Sequence, residues 1–150
     1  MKNNLIELVP ISLQDINCFD GTEYEHLTIE KRIELIKNSE NGCYNGQFFK
    51  FFLLKGDDEL IGFMNVCARS KSVISIAPEI KKRYRRKGYG EKGVLLALTK
   101  AEELGYKIAM ATVIEENIAS IKLHEKLGFI HIGNKVSKNG NLLKIYSRKV

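Results

Sequence analysis

Lys81-Lys82-Arg83-Tyr84-Arg85-Arg86-Lys87-Gly88-Tyr89-Gly90-Glu91 is the stretch whose reading decides the fold. It follows an apolar run, Val73 to Ile80, and leads into Glu91 to Leu104. In that second run Val94, Ala97, Leu98, Ala101 and Leu104 fall on one helical stripe, and Gly105 stands where a left-handed C-terminal cap belongs. The stretch is therefore a basic, glycine-bearing loop between a strand and a helix. Glycine lets a ligand approach the backbone closely, and the unpaired N–H groups of the first helical turn point into the loop. Together with the helix dipole and the flanking cations they make an anion site of phosphate character.

Upstream, Leu5 to Val9 reads as a first strand closed by Pro10, and Ser12 is placed to cap a short helix through about Phe19. Thr28 is a second N-cap, with Ile29, Ile33 and Ile36 at helical spacing over residues 29–37. Residues 38–46 are rich in Asn and Gly and read as a flexible loop. Phe48 to Leu54 and Leu60 to Ala68 flank Gly56-Asp57-Asp58 and predict a hairpin. Both runs are apolar on two faces, so the sheet is expected to be covered on both sides. Downstream, Lys107 to Ile114 is a strand, Asn117 caps a helix to Leu127, and Gly128 stops it. Phe129 to Val136 and Leu142 to Arg148 flank a turn containing Asn139-Gly140 and form a last hairpin. The order β-α-α-β-β-β-α-β-α-β-β predicts one α+β domain over residues 1–150. Its sheet is mixed and mostly antiparallel, of about seven strands, with about four helices on both faces.

Composition narrows the function classes. The chain has 150 residues, 44% hydrophobic and 28% charged, with net charge +6, which is ordinary globular usage. No apolar run approaches the roughly 18 residues of a membrane helix, and Met1 to Pro10 lacks a signal-peptide core. Cys18, Cys43 and Cys67 are odd in number and scattered, as are His26, His124 and His131. Neither a disulfide framework nor a metal site is expected, and a cytoplasmic setting follows. Gly88 to Gly93 matches G-x-G-x-x-G letter for letter, but a polar run separates it from its strand and Glu115 and Glu116 come late for a ribose ligand. A Walker loop is excluded because Val94 stands where Lys is required.

Two motifs in register resemble the GNAT acetyltransferase superfamily. Arg85, Gly88 and Gly90 meet its Arg/Gln-x-x-Gly-x-Gly/Ala acyl-CoA loop. Asn117, Ser120, Leu123, Gly128 and Phe129 meet its second signature, and the element order is similar over nearly the whole chain. The resemblance implies an acetyl-CoA-dependent N-acetyltransferase that moves acetyl from the thioester to a primary amine by direct attack. Backbone N–H groups from Arg86 to Glu91 would hold the cofactor phosphates. The implied cofactor set is Ile80, Lys82, Arg85, Arg86, Lys87, Gly88, Tyr89, Gly90, Glu91, Asn117, Ser120 and His124.

Where the family usually has Tyr, this chain has His124, which shares a helix face with Asn117 and Ser120. The resemblance gives His124 the role of general acid. Pro78 marks an edge or bulge in the strand before the loop, which in the family splays to admit pantetheine. Glu79 and Ile80 are then the candidates for a main-chain N–H aimed at an oxyanion, and Glu79, Glu115 and Glu116 for a general base. The acceptor, a small-molecule or protein amine, is expected to be shaped by residues 20–46 and 134–142, and the last hairpin could carry a homodimer. Neither membrane nor nucleic acid is an expected partner. Two other readings stand beside this one: a CoA-binding domain without activity, and a basic nucleic-acid module using Tyr84 and Tyr89.

Overall fold

The computed structural model describes residues 5–150, so the part of the signal-peptide reading that falls on residues 1–4 lies outside the described residues. Strand β1 is Ile6–Pro10, helix α1 Ile29–Asn41, β2 Cys43–Tyr44, β3 Gln47–Gly56, β4 Glu59–Ala68 and β5 Val73–Ile80. Then come α2 Tyr89–Glu103, β6 Ile108–Ile114, α3 Ile118–Lys126, β7 Ile130–Val136 and β8 Leu142–Lys149. The strands form one sheet in the order β1-β3-β4-β5-β6-β8-β7, with β2 paired to β3. Among the described residues only β5 and β6 run parallel; the other pairs are antiparallel. The mixed, mostly antiparallel sheet of the sequence reading is present, with eight strands and, among the described residues, three α-helices.

Each face of the sheet has its own core. On one, Met64, Val66, Ile74 and Ile76 pack against Val94, Ala97, Leu98 and Ala101 of α2, with Leu123 and Leu127 of α3 beside them. On the other, Phe51 and Phe63 pack against Phe19 and against Ile36 of α1. Phe19, Tyr24, Phe51 and Phe63 lie with ring centroids 5.4–5.8 Å apart. Such aromatic pairs contribute about 0.5–1.5 kcal/mol each beyond area burial. They fasten the irregular segment 16–28 onto β3 and β4.

Two expectations are corrected. Ser12 does cap a turn, through reciprocal bonds with Asp15, but only one 3-10 turn, Leu13–Asp15, follows instead of a helix to Phe19. The cause is tertiary. The buried guanidinium of Arg32 collects the carbonyls of Ile16, Glu25 and Leu27 at 3.1–3.2 Å and pairs with Asp20 at 2.9 Å, and of these the Ile16 carbonyl lies within the expected helix. Residues 38–46 are not a free loop either. The helix continues to Asn41 because buried Ser39 donates to the carbonyl of Phe51 and accepts from its N–H, and Gly42 caps it in the left-handed conformation. Cys43–Tyr44 then pairs back onto β3.

Candidate active site

The parallel pair opens into a gap. Val73 to Ser75 pair with Ile108 to Met110, and there the pairing stops, although β5 runs on to Ile80 and β6 to Ile114. The main-chain groups that line the gap follow from register. Lys81 N–H bonds Ile61 and Arg69 N–H bonds Val73, so in the antiparallel alternation the odd residues of β5 bond β4 and the even ones face β6. Likewise Glu115 N–H bonds Leu142, which commits the odd residues of β6 to β8. Pro78 and Ile80 therefore face Thr112 and Ile114 across open space. Pro78 loses no ladder bond there, which is why a strand interior tolerates it. Of the two candidate oxyanion donors, the N–H of Glu79 is turned toward Phe63 on β4, and that expectation is corrected; the N–H of Ile80 faces the gap.

At the mouth of the gap lies the glycine turn. Arg86 (φ 64°) and Gly88 (φ 82°) are both left-handed. At Gly88 this is the reason for glycine; at Arg86 it is strain of the kind that accumulates at ligand sites. Arg85 N–H is used up on the carbonyl of Lys82, and the first helical bond is from Lys92 to Gly88 at 3.2 Å. Between them, among the described residues, the N–H groups of Arg86, Lys87, Gly88, Tyr89, Gly90 and Glu91 make no bond within the protein. Consecutive free amides on alternating backbone form an anion-binding concavity at the positive end of α2.

The turn lies against α3. A Cβ at Gly90 would stand 3.3 Å from Leu123 Cδ2, and Lys126 Nζ pairs with Glu91 at 3.2 Å. Asn117 Oδ1 accepts from Ser120 N–H at 3.1 Å and caps α3, the helix that carries the second signature. Phosphate chemistry fits the six amides, and an extended amide-bearing arm fits the slot between two open strand edges. The residues present thus suit coenzyme A.

His124 does not suit the role of acid. It is buried, edge-on to Phe129 at 5.1 Å. Its Nδ1 lies 2.8 Å from the carbonyl of Ser120, so that nitrogen carries the proton and donates. Nε2 is then an unprotonated acceptor, buried without a partner among the described residues. Burial lowers the pKa, although the Ser120 bond opposes this. A ring whose Nδ1 proton is engaged by the Ser120 carbonyl and whose Nε2 has no partner among the described residues lends the expected acid role no support.

The opposite face of the gap holds a cavity of about 240 Å³, bordered by Thr22, Glu23, Phe63, Glu79, Lys82 and Arg85. Glu79 is carried there by β5 and Glu23 by the aromatic-anchored segment. Burial, reinforced by Glu23, pushes the Glu79 carboxyl up to about 7 against the opposing pull of Arg85. Tyr24 behind it is pushed up to about 12 by burial, Glu79 and Glu23, and keeps its proton. Lys82 lies on this side and not among the free amides. Glu23 carried no signal in the sequence. Glu115 and Glu116 are exposed and outside this cavity.

The sequence pattern of the Acetyltransferase (GNAT) family matches residues 14–129. The chain belongs to the GNAT acetyltransferase family. An uncharacterized N-acetyltransferase, YokL, derived from the SPbeta prophage of Bacillus subtilis (strain 168), is 32% identical over 96% of this chain and 82% of its own. Spermidine N-acetyltransferase from Vibrio cholerae, solved with CoA and spermine, superposes with TM-score 0.80 at 16% identity over 96% of this chain and 95% of that one. The yncA acetyltransferase structure from Salmonella typhimurium with acetyl-CoA superposes with TM-score 0.76 at 14% identity, covering 97% and 94%. The enzyme class read from the GNAT motifs, acetyltransferase, stands. These two structures are similar to this chain in fold.

Proposed function

We propose that this single domain, residues 1–150, is an acetyl-CoA-dependent N-acetyltransferase. The cofactor lies on the α2–α3 face, a primary amine enters from the α1 face, and the two meet through the gap between β5 and β6. The observation that carries this reading is the run of six unbonded amides, Arg86 to Glu91, beyond the point where β5 and β6 stop pairing. Bound there, acetyl-CoA supplies an activated acetyl group. Arg86, Lys87 and the free amides hold phosphate, and Asn117 and Ser120 border the arm. Ile80 N–H, fixed by the strand, is the donor aimed at a developing oxyanion. Glu79 takes a proton from the ammonium form of the acceptor: the N–H bond breaks, the carboxyl O–H forms, and the nitrogen lone pair is freed for attack. An amine near pKa 10 is otherwise protonated at neutral pH. A base titrating near 7 is suited to the step.

The basic run gives little support to a nucleic-acid role. Arg85 pairs with Glu23 and Glu79, and Arg83 donates to Tyr84 and lies 3.9 Å from Glu59. The test is calorimetric titration with CoA, followed by assay of free thiol release from acetyl-CoA over a panel of primary amines at several salt concentrations. Saturable CoA binding with amine-dependent thiol release is expected. Binding without release supports the non-catalytic reading, and absence of binding overturns both.

A further inference from the structure

Arg85 is the first residue of the acyl-CoA motif, yet its side chain leaves the cofactor side. Its Nη2 lies 3.0 Å from Glu23 Oε1 and 3.2 Å from Glu79 Oε2, and its Nε donates to the carbonyl of Ile80 at 2.8 Å. Its main-chain N–H is engaged with Lys82. One guanidinium therefore joins the aromatic-anchored segment, 62 residues away, to the end of β5 and the turn that begins the phosphate site. A fork of fixed donors suits such bridging, and a lysine would not span it.

We propose that Arg85 is a positioning residue of the acceptor side: it clamps Glu23 onto Glu79, closes that wall of the cavity, and holds Glu79 ready to take a proton from an amine. Glu23 and Arg85 then act on Glu79 with opposite sign. Glu23 is a like charge beside a half-buried carboxyl and favours its protonated form. Arg85 favours the ionised form. The other charged or titratable groups facing this cavity are Glu25, from the same segment, and Lys81 and Lys82, from the turn after β5; Tyr24 lies behind Glu79 and stays protonated.

This inference rests on the base role of Glu79, and its test is separable from that reading. The Glu79 side-chain carboxyl is titrated by carbon-13 NMR in the cofactor-free protein, unaltered and as Glu23→Gln and Arg85→Gln, and CoA affinity is measured on the same samples by calorimetry. The unaltered midpoint is expected at about 7. The clamp requires a midpoint at lower pH in Glu23→Gln and at higher pH in Arg85→Gln, shifts of opposite sign that a general loosening does not produce. It also requires CoA affinity of Arg85→Gln to stay within about fivefold, the scale of an exposed ion pair. Equal midpoints in all three proteins overturn the proposal. So does a loss of CoA affinity beyond about tenfold, the mark of a charged hydrogen bond to phosphate. Should Arg85→Gln fail to fold, Glu23→Gln alone still decides by the sign of its shift. Failure of the enzymatic reading would show separately, as no CoA binding by the unaltered protein.

Discussion

The two faces of the gap between β5 and β6 are built from different materials. The face proposed for the cofactor uses main chain: six amides on a turn whose two left-handed residues stand two apart. The face proposed for the acceptor uses side chains: Glu23, Glu79 and Arg85, up to 62 residues apart, brought together by an aromatic cluster and a buried arginine. A backbone site leaves its mark in glycine spacing and can be read locally. A side-chain site built from distant residues leaves none until the chain folds.

Glu79→Gln presses hardest on this contrast. Loss of a general base lowers the acceptor kcat/KM by about 10²–10⁴-fold. Steady-state rates across pH would also lose the limb near 7, while CoA affinity is unchanged. The same variant has a stability signature. The folded pKa of Glu79 is raised, so the native state holds more protons between the ordinary carboxylate range and about 7. That contribution is present at low pH and lost as pH rises through 7. Glu79→Gln should therefore gain stability over the unaltered protein at pH 8 and not at pH 4.5, as read by urea unfolding.

Gly88→Val tests the other face. Forcing φ 82° on a β-branched residue costs about 1–3 kcal/mol. CoA affinity should fall roughly tenfold to a hundredfold by calorimetry, with the Glu79 titration unmoved. Equal damage to both half-sites would mean that they are not separately built.

His124→Phe has the smallest expected effect. The folded pKa of His124 lies below its ordinary value, so the native state binds fewer protons than the unfolded chain. Stability then falls as pH drops below about 6.5, the unperturbed histidine value. The Phe variant should lose less over that window in denaturant midpoints. An identical decline in both proteins would place the ring proton elsewhere.

The same contrast explains what was legible. Val94, Ala97, Leu98 and Ala101 declared α2, and Gly88 and Gly90 declared the turn, because periodicity and backbone freedom are local. Ser12 misled because a cap signal fixes where a helix can start, and the Arg32 guanidinium decides whether it continues. Residues 38–46 misled because Ser39 is held by Phe51, twelve positions away. His124 lies against Ser120 on α3, as helical spacing predicts, but its tautomer depends on the Ser120 carbonyl and on burial. Glu23 looked like any surface carboxylate until Tyr24 and Phe19 set it beside Glu79.

The most direct test of the account is nitrogen-15 NMR of the backbone amides during titration with CoA. Large saturable shifts at the amides of Arg86, Lys87, Gly88, Tyr89, Gly90 and Glu91, well above those at Glu23, are expected. Saturation of binding with those six resonances unmoved would contradict it.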